Sequence, residues 1–128
     1  MPLEIKERSG AVETTFDKTA SILNTVKKSC GLTDEYNAFD QDILVLINSA
    51  ILDLTQNGIG PKEGFAVSDA VANWNDFIGD FPNAGAVANY ISLKVRILFD
   101  PPTSSFVVEA FKKQLDELIW RLNLEADK

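Results

Sequence analysis

The ten residues from Tyr90 to Phe99 hold seven apolar side chains, and Asp100, Pro101 and Pro102 follow them directly. At helical period these apolar positions wrap most of the circumference, leaving a thin polar stripe through Asn89, Ser92 and Arg96. A helix apolar nearly all round belongs at the centre of a bundle or in a subunit interface. The two prolines lack amide hydrogens and bias the residues before them away from helical geometry, so the helix stops sharply. Thr103, Ser104 and Ser105 then offer hydroxyls to the free amides of a following helix. The stretch LFDPPTSSF, Leu98 to Phe106, is thus read as a corner between two helices.

The rest of the chain supplies partners for that central helix. Phe16, Ala20, Leu23, Val26 and Cys30 recur at helical spacing, and Gly31 follows as a stop. A second helix spans roughly Ala38 to Gln56, with Phe39, Ile43, Leu46, Ile47, Ala50, Ile51 and Leu54 on a broad buried face and Asn57-Gly58 ending it. Asp42, Ser49, Asp53 and Gln56 form its polar stripe. Ser68 is positioned to cap a short third helix from Asp69 to Ile78, stopped by Gly79, with Trp74 and Phe77 on one face. In the last helix Val108, Phe111, Leu115, Leu118 and Leu122 repeat as a packing seam. Lys112–Asp116, Lys113–Glu117 and Glu117–Arg121 stand four apart on it as ion-pair candidates. Trp120 lies roughly opposite that seam and Phe106 falls within ~40° of Trp120, marking either a contact surface or a second core face. The expected fold class is all-α: one bundle of about five helices, near residues 16–30, 38–56, 69–78, 84–99 and 105–124. Residues 1–15 are expected to be a flexible N-terminal arm, and 16–128 the helical domain.

Charge is distributed unevenly. From Ser29 to Leu93 nine acids face a single base, Lys62, a balance of −8 in a chain whose total is −7. Such a middle disfavours direct grip on nucleic acid, which needs clustered Lys and Arg. It suits a partner with a basic patch, a surface past which DNA slides, or simple solubility. A helix-turn-helix regulator is disfavoured on the same ground, because the third helix carries Asp69 and Asp76 and no base.

Several chemistries are excluded by residue type. Histidine is absent and Cys30 is the only cysteine, which removes Ser-His-Asp and Cys-His catalysis, the usual zinc sites and an internal disulfide. Cys30 reads as a thiol packed like a small hydrophobe. The glycine-rich loop NGIGPKEGF fails as a phosphate cradle, since Lys62 precedes Glu63 and a helix, not a strand, comes before it. The aspartates from Asp34 to Asp42 fail as a calcium loop, because Tyr36 stands at the third position. No enzyme activity, cofactor or metal is expected. The first twenty residues carry Glu4, Lys6, Glu7, Arg8 and Glu13 without an apolar centre, so no signal peptide is expected and synthesis is expected in the cytoplasm. Unbroken apolar runs of about four or five residues make no membrane span.

Four segments, in order, carry a family likeness: LINSAILDLTQNGIGPKEGF, WNDFIGD, YISLKVRILFDPPTSSF and ELIWRLN. Over about Ala20 to Leu124 the chain resembles the small all-helical phage head–tail connector (adaptor, head completion) proteins that dock on the portal ring. The resemblance implies a structural virion protein at the head–tail junction, made in the host cytoplasm and assembled as a ring of about a dozen copies. The implied partners are further copies of the chain, the portal protein and a tail-side connector or stopper protein. DNA would pass through without specific binding. Along the matching motifs, the loop Asn57 to Phe65 and the corner Asp100 to Ser105 fall at functional surfaces, the corner either setting the angle of the last helix or simply rigid. The candidate partner-contacting residues are Phe65, Trp74, Phe77, Arg96, Asp100, Pro101, Pro102, Phe106, Trp120 and Arg121. The alternative is a monomeric or dimeric helical protein-binding module of phage origin, which shares every feature except ring closure.

Overall fold

Five helices account for most of residues 16–126, the part of the chain described by the computed structural model: α1 Ile22–Ser29, α2 Asp40–Gln56, α3 Trp74–Ile78, α4 Ala84–Phe99 and α5 Ser105–Ala126. The expected arm, 1–15, lies outside the described residues. Helix α4 packs against each of the other four, the place its apolar circumference demands. Val87, Ile91 and Val95 are fully buried on it, against Ile43, Ile47 and Leu54 of α2 and Ile22 and Val26 of α1. Each such side chain contributes roughly 1.5–3 kcal/mol through burial. Contacts at their ends make α2 and α4 antiparallel. The Phe39 and Phe99 rings meet edge-on at 5.3 Å. Towards the other end, Asp53 Oδ2 accepts from Tyr90 Oη at 3.3 Å and from Lys94 Nζ at 3.0 Å. Helix α5 runs antiparallel to α4 as well, with Arg96 over the Phe111 ring and the Asn83 amide donating to Glu125 at the opposite end.

The stops read from glycine and proline are where expected. After α2, Gly58 N donates to Thr55 O and Ile59 N to Leu54 O, both at 3.0 Å, while Ile59 itself is buried. This is the paired cap in which an apolar residue beyond the glycine returns to the helix. Gly31 and Leu32 close α1 by the same pattern. At the corner Asp100 N donates to Arg96 O, and Ser104 Oγ accepts from Val107 N at 3.4 Å to start α5. Helix α5 reaches Ala126, a little beyond the expected end. There the Asn123 side chain donates to both Asn57 O and Asn57 Oδ1 at 3.3 Å.

Two starts differ from expectation. Helix α1 begins at Ile22 rather than near Phe16, because Ser21 Oγ accepts from Asn24 N and caps it there. The Asp17 carboxylate instead holds the preceding turn through Thr19. Helix α3 begins at Trp74, not Asp69, and Ser68 does not cap it. Asn73 and Asp76 form a reciprocal capping box, and the chain before it is held out of helix from α2. Asn48 on α2 donates to Val67 O at 3.0 Å and accepts from Val67 N at 2.7 Å, occupying both backbone groups. The two caps then face each other in an antiparallel bridge, Ser21 to Asn73, with Ile22 N donating to Ala72 O at 3.0 Å.

Lys27 drew no attention in the sequence. It is 1 % exposed, with Nζ 2.9 Å from Asp40 Oδ1 and donating to Asp34 O at 3.0 Å. The one cue was its helical phase, four residues after Leu23 on the buried face. It ties the α1–α2 connection to the first turn of α2.

Gly60 adopts φ +90°, and a Cβ there would stand 2.5 Å from Phe77 Cε1. Gly31 has a similar φ of +81° with open space around it. Gly60→Ala is expected to cost ~2–4 kcal/mol, since backbone strain and overpacking add, and Gly31→Ala only ~1–2 kcal/mol. Urea unfolding of the two variants compares them directly. Burial first, then the Asp53 charge, pushes the Tyr90 phenol up to about 12. An unfolded tyrosine ionises near ~10, so above that pH the unfolded chain releases a proton that the folded one keeps. Stability is therefore expected to fall as pH rises from about 10 to about 12. Tyr90→Phe removes that component of the slope, measured by denaturant midpoints across the alkaline range.

Candidate subunit interface

Helix α5 has two opposed faces. Leu115 and Leu122 point into the core, and Phe111, Leu118 and Ile119 flank them half-buried. On the opposite side Phe106 is 82 % and Trp120 64 % exposed, with Leu124 also exposed. At ~100° per residue these three fall within ~40° of one another, diametrically away from the core seam. The face is one apolar stripe interrupted by Ala110, Lys113 and Glu117. The choice left open by the sequence is resolved for this protomer: Phe106 and Trp120 belong to no second core face.

The other candidate residues divide sharply. Trp74 and Phe77 are core residues, at 0 % and 2 % exposure, and offer a partner no side-chain surface. Trp74 stacks edge-on to Phe16, with ring centroids 5.8 Å apart, and donates Nε1–H to Thr25 Oγ1 at 3.2 Å. Phe77 stacks on Phe65 at 5.2 Å, so Phe65 anchors the glycine-rich loop to the core and is only partly accessible. The reason is positional: the capping box starts α3 at Trp74, and so short a helix has one face, which it turns to α4. Lys62 and Glu63 are what the loop shows to solvent.

Arg96, Asp100, Pro101 and Arg121 are exposed, and Pro102 is partly buried. Arg96 spends its guanidinium 5.8 Å from the Phe111 ring centroid, a cation–π strut between α4 and α5 beside the corner. The corner end also carries Tyr36 and Phe39, whose rings lie 5.9 Å apart, together with exposed Leu98. Phe39, expected on the buried face of α2, is partly exposed there because it sits at the cap, beyond the reach of the core. The expected four-apart ion pairs of α5 do not close; among the described residues Lys112 instead meets Glu109 at 3.5 Å. That exposed pair contributes only a few tenths of a kcal/mol.

Sequence reasoning missed a second stripe. Val45 and Leu52 are 68 % and 56 % exposed on the outer face of α2, seven residues apart and opposite the buried Ile47 and Leu54. The signal was available in their phase, but the polar neighbours Asp42, Ser49 and Gln56 masked it.

Among the described residues no group of three His, Cys, Asp or Glu side chains could hold a metal ion. Cys30 is a free, half-buried thiol; burial pushes it up, while the Ser29 hydroxyl and Arg96 pull partly the other way. The surface of this helical chain thus carries exposed apolar stripes on α5 and α2. The chain belongs to the phage connector protein family, whose model matches residues 22–128. No curated protein and no solved structure matches it.

The two tryptophans separate surface from core. Phe106→Ala and Trp120→Ala are expected to change protomer stability by no more than ~0.5 kcal/mol, and Trp74→Ala to cost ~3–5 kcal/mol. Denaturant unfolding checks the energies. Acrylamide is expected to quench the emission of Trp120 and leave that of Trp74 protected.

Proposed function

We propose that this protein is a structural component of a tailed phage or prophage virion, a ring-forming head–tail connector between portal and tail through which DNA passes. Family membership over residues 22–128 carries the reading. The physical support is that exposed aromatic area on a rigid helix is costly to leave in water and is favoured at the centres of protein interfaces. Two different apolar stripes, on α2 and on α5, are the material that a heterologous interface requires, where one patch meets a different patch on the next copy. Copies carrying −7 each repel one another, so a ring must set base against acid at its contacts. The acidic middle of the chain would let DNA pass without holding it. Portal and a tail-side stopper protein are the partners above and below the ring. The proposed place of the protein is the head–tail junction of the virion, after synthesis in the host cytoplasm; no helix of the described residues is long and apolar enough to cross a membrane.

Native mass, measured on the purified chain alone and mixed with the portal protein of the same phage genome, tests this. A ring-sized species is expected, in isolation or on the portal template. A chain that stays monomeric and ignores the portal at high concentration would overturn ring assembly in favour of a monomeric binding module.

A further inference from the structure

We infer that the outer stripe of α5 seats on the outer stripe of α2 of a second copy of this chain, with the two helices antiparallel. The inference rests on the connector reading and adds to it the pair of surfaces that meet. Both stripes point away from their own cores, and α4 lies between their helices, which touch through Asn123 and Asn57 at one end. One protomer therefore presents the two halves of the contact on separate flanks, so each copy can be joined on both sides.

The spacing along the helices fits. Phe106 and Trp120 stand ~21 Å apart along α5, and Val45 and Leu52 ~10 Å apart along α2. Centred on each other, the two α2 side chains drop between the two aromatics, each ~5 Å inside one of them. Ala110, small and exposed, leaves room for one of them beside Phe106.

Charge selects the direction. Helix α2 carries Asp40, Asp42 and Asp53 and no base, while the outer side of α5 carries Lys113, Glu117 and Arg121, and only the parallel arrangement would set Glu117 opposite Asp53. In the antiparallel arrangement Asp42 falls beside Arg121, while Ser49, at the centre of its stripe, meets Lys113 in either direction. The parallel arrangement would instead bring Asp42 towards Phe106 and Glu109, with an acid and no complementary base. Asp42, Ser49, Lys113 and Arg121 are all exposed, so none is committed to the protomer's core.

Cross-linking of the full chain tests the pairing. In a Cys30→Ser background, Ser49→Cys, Lys113→Cys and the double variant are treated with a short bis-maleimide, alongside native mass of the unmodified protein. The double variant is expected to give a ladder of multimers. An equal mixture of the two single variants should give a dimer and nothing larger, and each single variant alone should give no product. Cross-linking of Lys113→Cys alone would show α5 meeting itself and overturn the pairing. A ring-sized native mass without cross-linking at these positions would overturn the pairing and leave the connector reading standing. A chain that stays monomeric and gives no cross-linked product, both alone and with the portal protein, would overturn both. All substituted positions are exposed or, for Cys30, half-buried, and unchanged thermal unfolding verifies that each variant is folded.

Discussion

Everything in this protein is arranged around a helix that cannot face water. Helix α4 is apolar on most of its circumference, and a lone helix of that kind would gain nothing by folding in solvent. It becomes stable only when other helices cover it, and α1, α2, α3 and α5 each do so. Coverage is nevertheless uneven. Helices α1 and α2 bury complete faces, whereas α5 buries little beyond Leu115 and Leu122 and turns Phe106 and Trp120 outward. A protomer of this size has enough core for one well-covered helix, and the surplus apolar surface is left on the flanks.

The polar contacts serve to fix how those layers meet. A buried lysine clamps the α1–α2 connection to the start of α2, and paired N-caps join the entries of α1 and α3. Asn48 pins the extended segment before α3, and the Asp53–Tyr90–Lys94 group fixes α2 against α4. Each bond is modest in net energy, about 1 kcal/mol for a typical neutral pair. Their larger effect is to specify one register among several apolar packings of similar stability.

Where the sequence could be read, the signal was local. The stop at Asp100-Pro101-Pro102, the hydroxyl start of α5 and the glycine ends of α1 and α2 all follow from backbone chemistry within a few residues, and all are present in the structure. Where the reading slipped, two local signals competed and a distant residue broke the tie. Ser68 and Asn73 are both good caps, and Asn48, nineteen residues earlier in the chain, chose between them by occupying the backbone of Val67. The same limit explains the contact residues. Trp74 and Trp120 look alike as large aromatics on helices, yet one is enclosed by Phe16 and α1 and the other stands in solvent. Lys27 and Leu52 are the converse, a charge placed inside and an apolar side chain placed outside, with only helical phase to mark them.

The amino-acid sequence by itself determined the helical class, the central role of α4, the sharp corner before α5, and the exclusion of histidine chemistry and of an internal disulfide. These depend on periodicity, proline, glycine and residue type, all of which act within a turn or two of the chain. Only the tertiary structure decided which face of each helix is consumed by the core and which is left for a partner. That choice depends on which helices pack together across tens of residues, and burial, unlike helix formation, is a property of the neighbours rather than of the residue.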